Sequence, residues 1–449
     1  MEKFRKLGII EPILKSIQEQ NFEVPSEIQE KSIPLILEGK DVIAMAATGS
    51  GKTLAFAAGI IKNVERGKGI QALILTPTRE LAEQVSNHLQ RFSKHKHLEM
   101  IAVYGGVSIN PQIDSLRHSD VVVGTPGRIL DHIDRRTIDL DNVKILVLDE
   151  ADRMLDMGFK DDVEKIIDKC PVKRQTMLFS ATISADIARL ARKYMNNPVE
   201  VSAEAYVDPS KMAQIYYDVE DNLKFSLLVH FLKHEKAGLV MVFCNTQRNT
   251  DFVANNLRAS GIEASALHGG YSQDKRTRTM QRFSSSQQAS VLVCTDVAAR
   301  GLDIKGVSHI YNYDIPKDSK EYIHRIGRTA RAGKEGKVIN ILAKRDYDNF
   351  QRVLGNSELN ISKGEMPQIE RVMVQFRDNR TRGFGRGFDR GSRGRFGQRE
   401  HTYRSSHYRP FSQGRERGYR GDEEERYGPK RYGKRNFNMR NNPRYSRRY

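Results

Sequence analysis

A glycine-rich octapeptide at residues 46–53 has the most direct chemical meaning in the sequence. It follows an apolar run, and its glycines allow consecutive backbone N–H groups to turn toward phosphate oxygens. The amino end of the next predicted helix adds positive charge there, Lys52 can reach the outer phosphates, and the Thr53 hydroxyl can hold Mg²⁺. The predicted phosphate-binding residues are Ala47, Thr48, Gly49, Ser50, Gly51, Lys52 and Thr53.

The first residue of this phosphate loop departs from the usual pattern, because Ala46 stands where a glycine is common. A Gly/Ser loop that only caps a helix is therefore the alternative interpretation. The strand–loop–helix context favours phosphate binding, since both the inward N–H groups and the helix terminus are then supplied together.

Three acids in four residues, Asp149-Glu150-Ala151-Asp152, end another predicted strand. An acid at the end of a neighbouring strand can hold Mg²⁺ from the side opposite Thr53. A second acid beside it can orient and deprotonate an attacking water. Taken alone, such a quartet is more often the solvated start of a helix. Together with the phosphate loop, it favours Lys52, Asp149 and Glu150 as catalytic residues.

Short apolar runs alternate with amphipathic stretches from about residue 40 onward. The predicted strands of a first array are residues 41–46, 72–77, 100–104, 121–125, 145–149 and 176–180. Those of a second array are residues 239–244, 264–267, 291–295, 308–313 and 337–342. Val/Ile/Leu runs separated by helical patterns, such as 79–92 and 162–169, predict parallel sheets covered on both faces. We therefore predict two tandem doubly wound α/β domains, the first array ending at Asn196-Asn197-Pro198.

Basic charge is concentrated at the C-terminus. The chain of 449 residues has a formal charge of +18, and residues 377–449 alone hold 20 Arg and 2 Lys against 8 acids. This segment has no Leu, Ile, Val, Ala or Cys, so it cannot bury enough apolar area to fold, and we predict a disordered basic tail. Its arginines suit phosphates and its Phe and Tyr rings suit unpaired bases, although a solubilising low-complexity extension is the alternative.

Composition also excludes several classes of protein. No apolar run reaches the length of a membrane span, and the N-terminus lacks the apolar region of a signal peptide. Cys170, Cys244 and Cys294 lie far apart, which argues against a zinc site or a disulfide framework. We therefore expect a reduced, cytoplasmic setting without a membrane partner. We also expect a monomer.

Eleven short strings, in a fixed order, carry a resemblance to a known family. They are Phe22-Glu23-Val24-Pro25-Ser26-Glu27-Ile28-Gln29, the phosphate loop, Pro77-Thr78-Arg79-Glu80-Leu81-Ala82, Gly105-Gly106, Thr125-Pro126-Gly127-Arg128, the acidic quartet, Ser180-Ala181-Thr182, Val242-Phe243-Cys244-Asn245-Thr246, Gln273-Asp274-Lys275-Arg276, Thr295-Asp296-Val297-Ala298-Ala299-Arg300-Gly301-Leu302-Asp303, and His324-Arg325-Ile326-Gly327-Arg328-Thr329-Ala330-Arg331. Over roughly residues 1–365 the sequence resembles the DEAD-box RNA helicases, of the prokaryotic type with an Arg/Gly-rich tail.

The resemblance implies two RecA-like domains with stated bounds. We expect an ATP-binding domain at residues 1–205, a linker at 206–212, a helicase domain at 213–368 and an RNA-binding tail at 369–449. It also implies that RNA and ATP are bound together, and that the tail has ribonucleoprotein partners.

Further residues are assigned to ATP by the resemblance. A glutamine amide can pair with both N6 and N7 of adenine, and this role falls to Gln29. Phe4 and Phe22 are expected near the base, and Gly301 and Asp303 are expected to contact ATP from the second domain. Arg328 and Arg331 lie three residues apart, so on one helical turn they would face the same way as arginine fingers.

RNA contacts are expected to involve the sugar–phosphate backbone rather than the bases. The resemblance assigns them to Pro77, Thr78, Arg79, Gly105, Gly106, Thr125, Arg128, Arg276, Thr295 and Arg300. The residues expected to couple ATP to RNA are Asp152, Ser180, Thr182 and His324. The predicted activity is ATP-dependent unwinding of short RNA duplexes. A DNA-directed helicase and an ATP-gated RNA clamp with little turnover are the alternatives.

Overall fold

The structure is a computed structural model, and it describes residues 1–46, 49–203, 212–235, 237–285, 290–299, 304, 306–329, 336–356 and 359–375. The described residues form two α/β lobes, each built on a parallel sheet. The predicted tail at 377–449 lies outside these residues. The predicted linker at 206–212 also lies outside them, except for Met212.

The first lobe contains ten helices and seven strands among its described residues. Its strands are β1 (Val42–Met45), β2 (Ala72–Leu75), β3 (Met100–Val103), β4 (Val121–Gly124), β5 (Ile145–Leu148), β6 (Gln175–Ser180) and β7 (Val199–Ser202). Its helices are α1 (Glu2–Lys6), α2 (Glu11–Glu19), α3 (Glu27–Leu37), α4 (Lys52–Asn63), α5 (Arg79–Phe92), α6 (Asn110–Leu116), α7 (Pro126–Asp134), α8 (Ala151–Asp156), α9 (Lys160–Ile167) and α10 (Ala185–Tyr194).

The second lobe repeats this plan. Its strands are β8 (Met212–Asp218), β9 (Leu239–Phe243), β10 (Ala264–Leu267), β11 (Ser290–Cys294), β12 (Val307–Asn312), β13 (Gly336–Leu342) and β14 (Ser362–Lys363). Its helices are α11 (Lys224–His234), α12 (Gln247–Ala259), α13 (Gln273–Ser285), α14 (Asp296–Ala299), α15 (Ser319–Ile326) and α16 (Tyr347–Leu354).

Both sheets are covered on their two faces, as predicted for doubly wound domains. The strand orders are β3-β4-β2-β5-β6-β1-β7 and β10-β11-β9-β12-β13-β8-β14. Successive residues of a strand point to opposite faces, so Val42 and Ala44 of β1 enter one apolar core and Ile43 enters the other. The same alternation separates Val240 from Met241 on β9. A strand that is buried on both faces, such as β2 or β5, is therefore apolar at every position.

Two sequence-based boundaries were wrong. The first array does not end at Asn196-Asn197-Pro198, because β7 follows it and pairs in parallel with β1. The tail does not begin at residue 369, because Val372 and Val374 pack on the core of the second lobe. The Gln375 backbone N–H also donates to Asn256 Oδ1 at 2.7 Å. Alternation of apolar residues in 369–375 therefore reflects packing against α11 and α12.

Topology brings the candidate residues to one edge of each sheet. Parallel strands end on the same side, so the segments that follow β1, β2, β4, β5 and β6 lie together. In open α/β sheets, ligands bind outside these carboxyl ends. The phosphate loop, the acidic quartet and Thr78-Arg79 all occupy this edge of the first lobe.

Candidate active site

Glycines shape the phosphate loop. Gly49 and Gly51 have φ of 84° and 92°, in the left-handed region that favours glycine, and Gly51 is the N-cap of α4. A Cβ built on Gly51 would lie 2.3 Å from Nε2 of Gln29. The loop thus turns tightly into α4 and directs its backbone toward the carboxyl edge. Ala47 and Thr48, also predicted to bind phosphate, lie outside the described residues.

Lys52 lies buried at the start of α4 and faces Asp149. Its Nζ is 3.6 Å from Asp149 Oδ1, which is an ion-pair distance but too long for a hydrogen bond. Neither Lys52 Nζ nor Ser50 Oγ has a hydrogen-bond partner among the described residues. Buried donors without acceptors are costly. A phosphate group would supply acceptors to both, so the site fits an ATP phosphate chain.

The two acids at the end of β5 are held in different ways. Burial raises the pKa of the Asp149 carboxyl, and the Lys52 ammonium opposes that rise. Asp149 Oδ1 accepts the Glu150 backbone N–H at 3.0 Å. Glu150 has a φ of 52°, which is rare for a residue with a side chain and typical of functional sites. A cation bound at Asp149 would favour its ionised form.

Arg153 is a site residue that the sequence reasoning missed. Its Nε lies 3.3 Å from Glu150 Oε2, and both side chains are buried. Because the two residues are three apart at the start of α8, the guanidinium lies beside the carboxylate. The (i, i+3) spacing after the acidic quartet was the available signal.

Gln29 connects the N-terminus of α3 to the phosphate loop. Its Nε2 donates to the Gly51 carbonyl at 3.0 Å, and its Oε1 accepts the Ser26 N–H at 3.0 Å, which forms a capping box. Ser26 Oγ also donates to the Ser50 carbonyl at 2.7 Å. An amide retains one further donor and one further lone pair, so adenine pairing stays compatible with these bonds.

The two aromatic residues expected near the base differ in exposure. Phe4 is completely buried in the apolar core of the first lobe. A direct contact with a base does not fit this position, because no part of the ring reaches the surface. Phe22 is 39% exposed and packs beside Phe92. Of the two, Phe22 has the surface that a stacked base requires.

The predicted coupling residues are partly brought together. Thr182 Oγ1 donates to Asp152 Oδ2 at 3.2 Å. Ser180 Oγ donates to the Thr182 carbonyl at 2.7 Å, so it shapes the segment rather than contacting the acid. His324 lines a narrow cavity with Arg153 and residues of the second lobe.

The second lobe places one arginine in its core and one at the cavity. Arg325 is 1% exposed, and it donates to both Asp296 carboxylate oxygens at 2.6 Å and to Asn312 and Asn245. This role of Arg325 was not predicted. Arg328 lines the cavity, but the expectation that it lies on a helical turn was wrong. Helix α15 ends at Ile326 with Gly327 as its C-cap.

Several predicted contacts from the second lobe fall outside the described residues. These are Arg300, Gly301, Asp303 and Arg331.

Arginines and glycines expected to bind RNA cluster at the carboxyl edge of the first lobe. A Cβ on Gly105 would lie 3.6 Å from Arg79 Nη2 and 4.0 Å from Arg128 Nη2. Gly106 has a φ of 80°, and a Cβ there would overlap the Arg79 guanidinium. Arg128 Nη2 donates to the Val107 carbonyl at 3.0 Å. Two cations therefore share a glycine surface that a phosphate backbone could approach closely.

The helix starts beside this cluster supply backbone donors. Thr78 is the N-cap of α5 and follows Pro77, and its side chain accepts the Leu81 N–H. Thr125 is the N-cap of α7. Helix N-termini carry partial positive charge and suit anions such as phosphates.

The second lobe contacts the first through α13. Arg276 Nη2 lies 2.7 Å from Glu80 Oε1, and Gln273 Nε2 donates to the same oxygen at 3.2 Å. Burial lowers the pKa of the Arg276 guanidinium, and Glu80 opposes this. Thr295, another predicted RNA contact, is buried at the end of β11.

Comparison with known proteins decides the family. The DEAD/DEAH box helicase domain matches residues 26–190, and the helicase conserved C-terminal domain matches residues 223–333. The ATP-dependent RNA helicase CshA of Limosilactobacillus reuteri is 45% identical over 354 residues, which cover 78% of this chain and 71% of the relative. CshA of Listeria monocytogenes is 48% identical, covering 77% and 67%. The chain belongs to the DEAD-box family of ATP-dependent RNA helicases.

Solved DEAD-box structures share its fold. A DEAD-box protein of Methanococcus jannaschii is 42% identical, with a TM-score of 0.51, covering 81% of this chain and 99% of that one. Dbp5 of S. cerevisiae, bound to RNA and ADP BeF3, is 32% identical with a TM-score of 0.74, covering 81% and 96%. The chain is thus an enzyme of an ATP-hydrolysing family with two RecA-like domains. No helix in its described part has the length and apolarity that a membrane crossing requires.

Proposed function

We propose that the chain separates short RNA duplexes by closing its two lobes over ATP and RNA and then hydrolysing the ATP. The observation that carries this proposal is the buried Lys52 ammonium, which faces Asp149 and has no hydrogen-bond partner among the described residues. A phosphate chain would complete this group. Dbp5 has been solved with RNA and ADP BeF3, and the related Mss116p with ssRNA and AMP-PNP.

Each residue at the ATP site has a proposed role. Lys52 and the loop N–H groups bind the phosphates, and Gln29 and Phe22 recognise adenine. Thr53 and Asp149 would hold Mg²⁺, which neutralises phosphate charge when bound. Glu150, oriented by Arg153, takes the proton of the attacking water. From the second lobe, the proposed contacts to ATP are Gly301, Asp303, Arg328 and Arg331.

RNA is proposed to bind through its backbone. Arg79, Arg128 and the Gly105-Gly106 surface would hold phosphates on the first lobe, together with the helix starts at Thr78 and Thr125. Arg276, Thr295 and Arg300 are the proposed counterparts on the second lobe. Because these groups do not read base edges, binding should tolerate any sequence. Closing both lobes on one strand would bend it and disrupt a short duplex.

The contacts between the lobes support such closure. Glu80 of the first lobe accepts a hydrogen bond from Gln273 and forms an ion pair with Arg276. Asp156 forms an ion pair with Lys320 at 2.7 Å. We propose that the ATP-binding domain spans residues 1–205, the linker 206–212, and the helicase domain 213 to about 375. The tail beyond it would bind RNA and ribonucleoprotein partners.

A steady-state ATPase assay tests the proposal. We expect hydrolysis to be stimulated by single-stranded RNA and much less by DNA of the same sequence. Glu150→Gln should lower turnover by about 10²–10⁴-fold while ATP and RNA still bind. Glu200→Gln, which removes an exposed acid of β7, is the matched control and should keep wild-type turnover.

Other outcomes would point to the rival functions. Equal stimulation by DNA would indicate a DNA-directed helicase. ATP-dependent RNA binding without turnover in the wild-type chain would indicate a clamp. Wild-type turnover in Glu150→Gln would contradict the role given to Glu150.

A further inference from the structure

A groove lies on the second lobe between the edge strand β10 and helix α13. It has a volume of about 550 Å³. Its lining includes three cations and three hydroxyl groups, which are Lys275, Arg278, Arg282, Ser265, Ser272 and Thr279. None of these residues has a part in the ATP site or in the RNA contacts proposed above.

The three cations form one continuous stripe. Lys275, Arg278 and Arg282 stand at i, i+3 and i+7 of α13, so they share a helix face, and all three are exposed. They form no ion pair with the described residues. Asp274 also lines the groove, but it is not paired with any of them. A solvated helix face would ordinarily carry charges of both signs that offset one another.

One end of the stripe is fixed in place. The Lys275 ammonium lies 3.3 Å from the centre of the Tyr271 ring, a cation–π contact. The Tyr271 hydroxyl in turn donates to Asp251 at 2.8 Å. The position of Lys275 is therefore set before any partner binds, which reduces the entropy lost on binding.

The location of the groove favours RNA over an acidic protein. Helix α13 starts at the carboxyl edge of its sheet, and its buried side contacts the first lobe through Arg276 and Gln273. The cationic stripe runs away from this contact along the same helix, over about 10 Å at 1.5 Å per residue. An RNA strand that leaves the cleft beside Arg276 would therefore reach the groove next. Cations and hydroxyls are the side chains that typically bind phosphates.

We propose that this groove binds the phosphate backbone of RNA that extends beyond the nucleotides held in the cleft. The proposal rests on the proposed function, since it requires RNA in the cleft. It gives the second lobe a contact surface that only RNA longer than the cleft can reach. Long strands, or strands that flank a duplex, would then bind more tightly than short ones of the same composition.

The test compares two RNAs on the full chain. Half-maximal RNA concentrations for ATPase stimulation are measured over a range of salt, with a single strand of about ten nucleotides and one of about forty. In Lys275→Gln/Arg278→Gln/Arg282→Gln we expect the long strand to bind roughly 10- to 100-fold more weakly at 0.1 M salt. Its log–log salt slope should fall in magnitude by about 2, from three lost phosphate contacts at about 0.7 each. The short strand should keep its half-maximal concentration within twofold.

A matched control removes the same charge elsewhere. Lys165, Lys169 and Lys173 are exposed, and Lys173 lies just before β6 at the opposite edge of the first sheet. Lys165→Gln/Lys169→Gln/Lys173→Gln should leave both RNAs unaffected. Equal effects of the two triple variants would overturn the proposal, as would equal weakening of the short strand. A chain that no RNA stimulates would instead reject the proposed function itself. Circular dichroism confirms that both variants are folded.

Discussion

Gln29 holds a structural position to which its proposed recognition of adenine is linked. Its amide completes the capping box of α3 and also donates to the carbonyl of Gly51, the N-cap of α4. The starts of these two helices are therefore tied to each other. A shift of Gln29 on binding adenine would consequently move the phosphate loop directly, through the bond to Gly51.

Gln29→Glu removes the amide donor on which both roles depend. The carboxylate keeps the acceptor for the Ser26 N–H but loses the donor to Gly51, so a part-buried carbonyl loses its partner, at a cost of about 1 kcal/mol. We expect ATP affinity to fall at least tenfold and the preference for ATP over GTP to shrink. Isothermal titration with both nucleotides measures this. Gln18→Glu, an exposed helical amide, is the control, and unchanged nucleotide affinity in Gln29→Glu would show that Gln29 is only structural.

Arg325 is expected to stabilise the fold of the second lobe. Its five hydrogen bonds join Asp296, Asn312, Asn245 and the Asp314 carbonyl, beneath the ring of Phe243. A lysine keeps the charge but cannot form the planar fork. Arg325→Lys should therefore destabilise the second lobe, and Arg325→Ala should do so by about 3–5 kcal/mol, because Asp296 is left without its partner.

Urea unfolding followed by circular dichroism measures this loss, since the chain has no tryptophan for fluorescence. Lys320→Ala on the same helix serves as the control and should change stability by at most about 1 kcal/mol, because it loses only a partly exposed ion pair. If Arg325→Ala were as stable as that control, the buried cluster would not be a stabilising unit.

At the scale of elements, the nucleotide site depends on how α3 packs against α4. Gly59 of α4 lies against Ile36 of α3, and a Cβ on Gly59 would approach Ile36 Cγ2 to 2.5 Å. The missing side chain lets the two helices come close together. That closeness places Gln29 on the phosphate loop.

Gly59→Ala should destabilise the first lobe. Alanine favours the helix by about 1 kcal/mol, but overpacking against Ile36 costs about 1–3 kcal/mol and would move α3 away from the loop. Thermal and urea unfolding measure the change, and ATP affinity should fall with it. In Gly59→Ala/Ile36→Ala the new methyl group occupies part of the space vacated by Ile36. The double variant should therefore lose less stability than the sum of the single ones.

Gly127→Ala is a suitable control for this variant. Gly127 also lies in a helix, α7, but an added Cβ meets nothing within 4 Å. This variant should be as stable as the wild type or more so. A destabilisation as large as that of Gly59→Ala would show that steric overlap with Ile36 is not the cause.

Most of the strands were predictable because they are buried on both faces. Continuous apolar runs marked β2 and β5, and the segments after them supplied site residues. Strand β7 was missed because only alternate residues are partly buried, at the edge of the sheet. Arg325 was missed for another reason. Its partners on α14, β9 and β12 are distant in sequence, and nothing in a local pattern reveals a buried cluster of that kind.

At the scale of the whole molecule, polar contacts at two places join the described parts of the lobes. Glu80 meets Gln273 and Arg276, which are close to the proposed RNA path. Asp156, at the end of α8, meets Lys320 at the start of α15, near the acidic quartet and the arginines. The first pair is buried and the second is partly exposed.

Charge exchange at the exposed pair tests whether this contact favours the closed state. Asp156→Lys places two cations together, so it should raise the RNA concentration for half-maximal ATPase activity two- to tenfold, while turnover at saturating RNA changes little. The double variant Asp156→Lys/Lys320→Asp restores the attraction with its polarity reversed and should return within about twofold of the wild type. The expected effect is small because partly exposed pairs contribute only about 0.2–1 kcal/mol.

Arg66 and Glu99 provide the control, since this exposed pair lies within the first lobe at 3.0 Å. Arg66→Glu repels Glu99 in the same manner but should not alter the dependence on RNA, because no contact between lobes is affected. If Asp156→Lys behaved like Arg66→Glu, the pair at the lobe contact would have no influence on closure. If the double exchange failed to restore the wild-type value, the residues would act through separate partners. Rescue by the exchange, with no effect of the control, would establish that attraction between Asp156 and Lys320 stabilises the RNA-bound, closed arrangement of the two lobes.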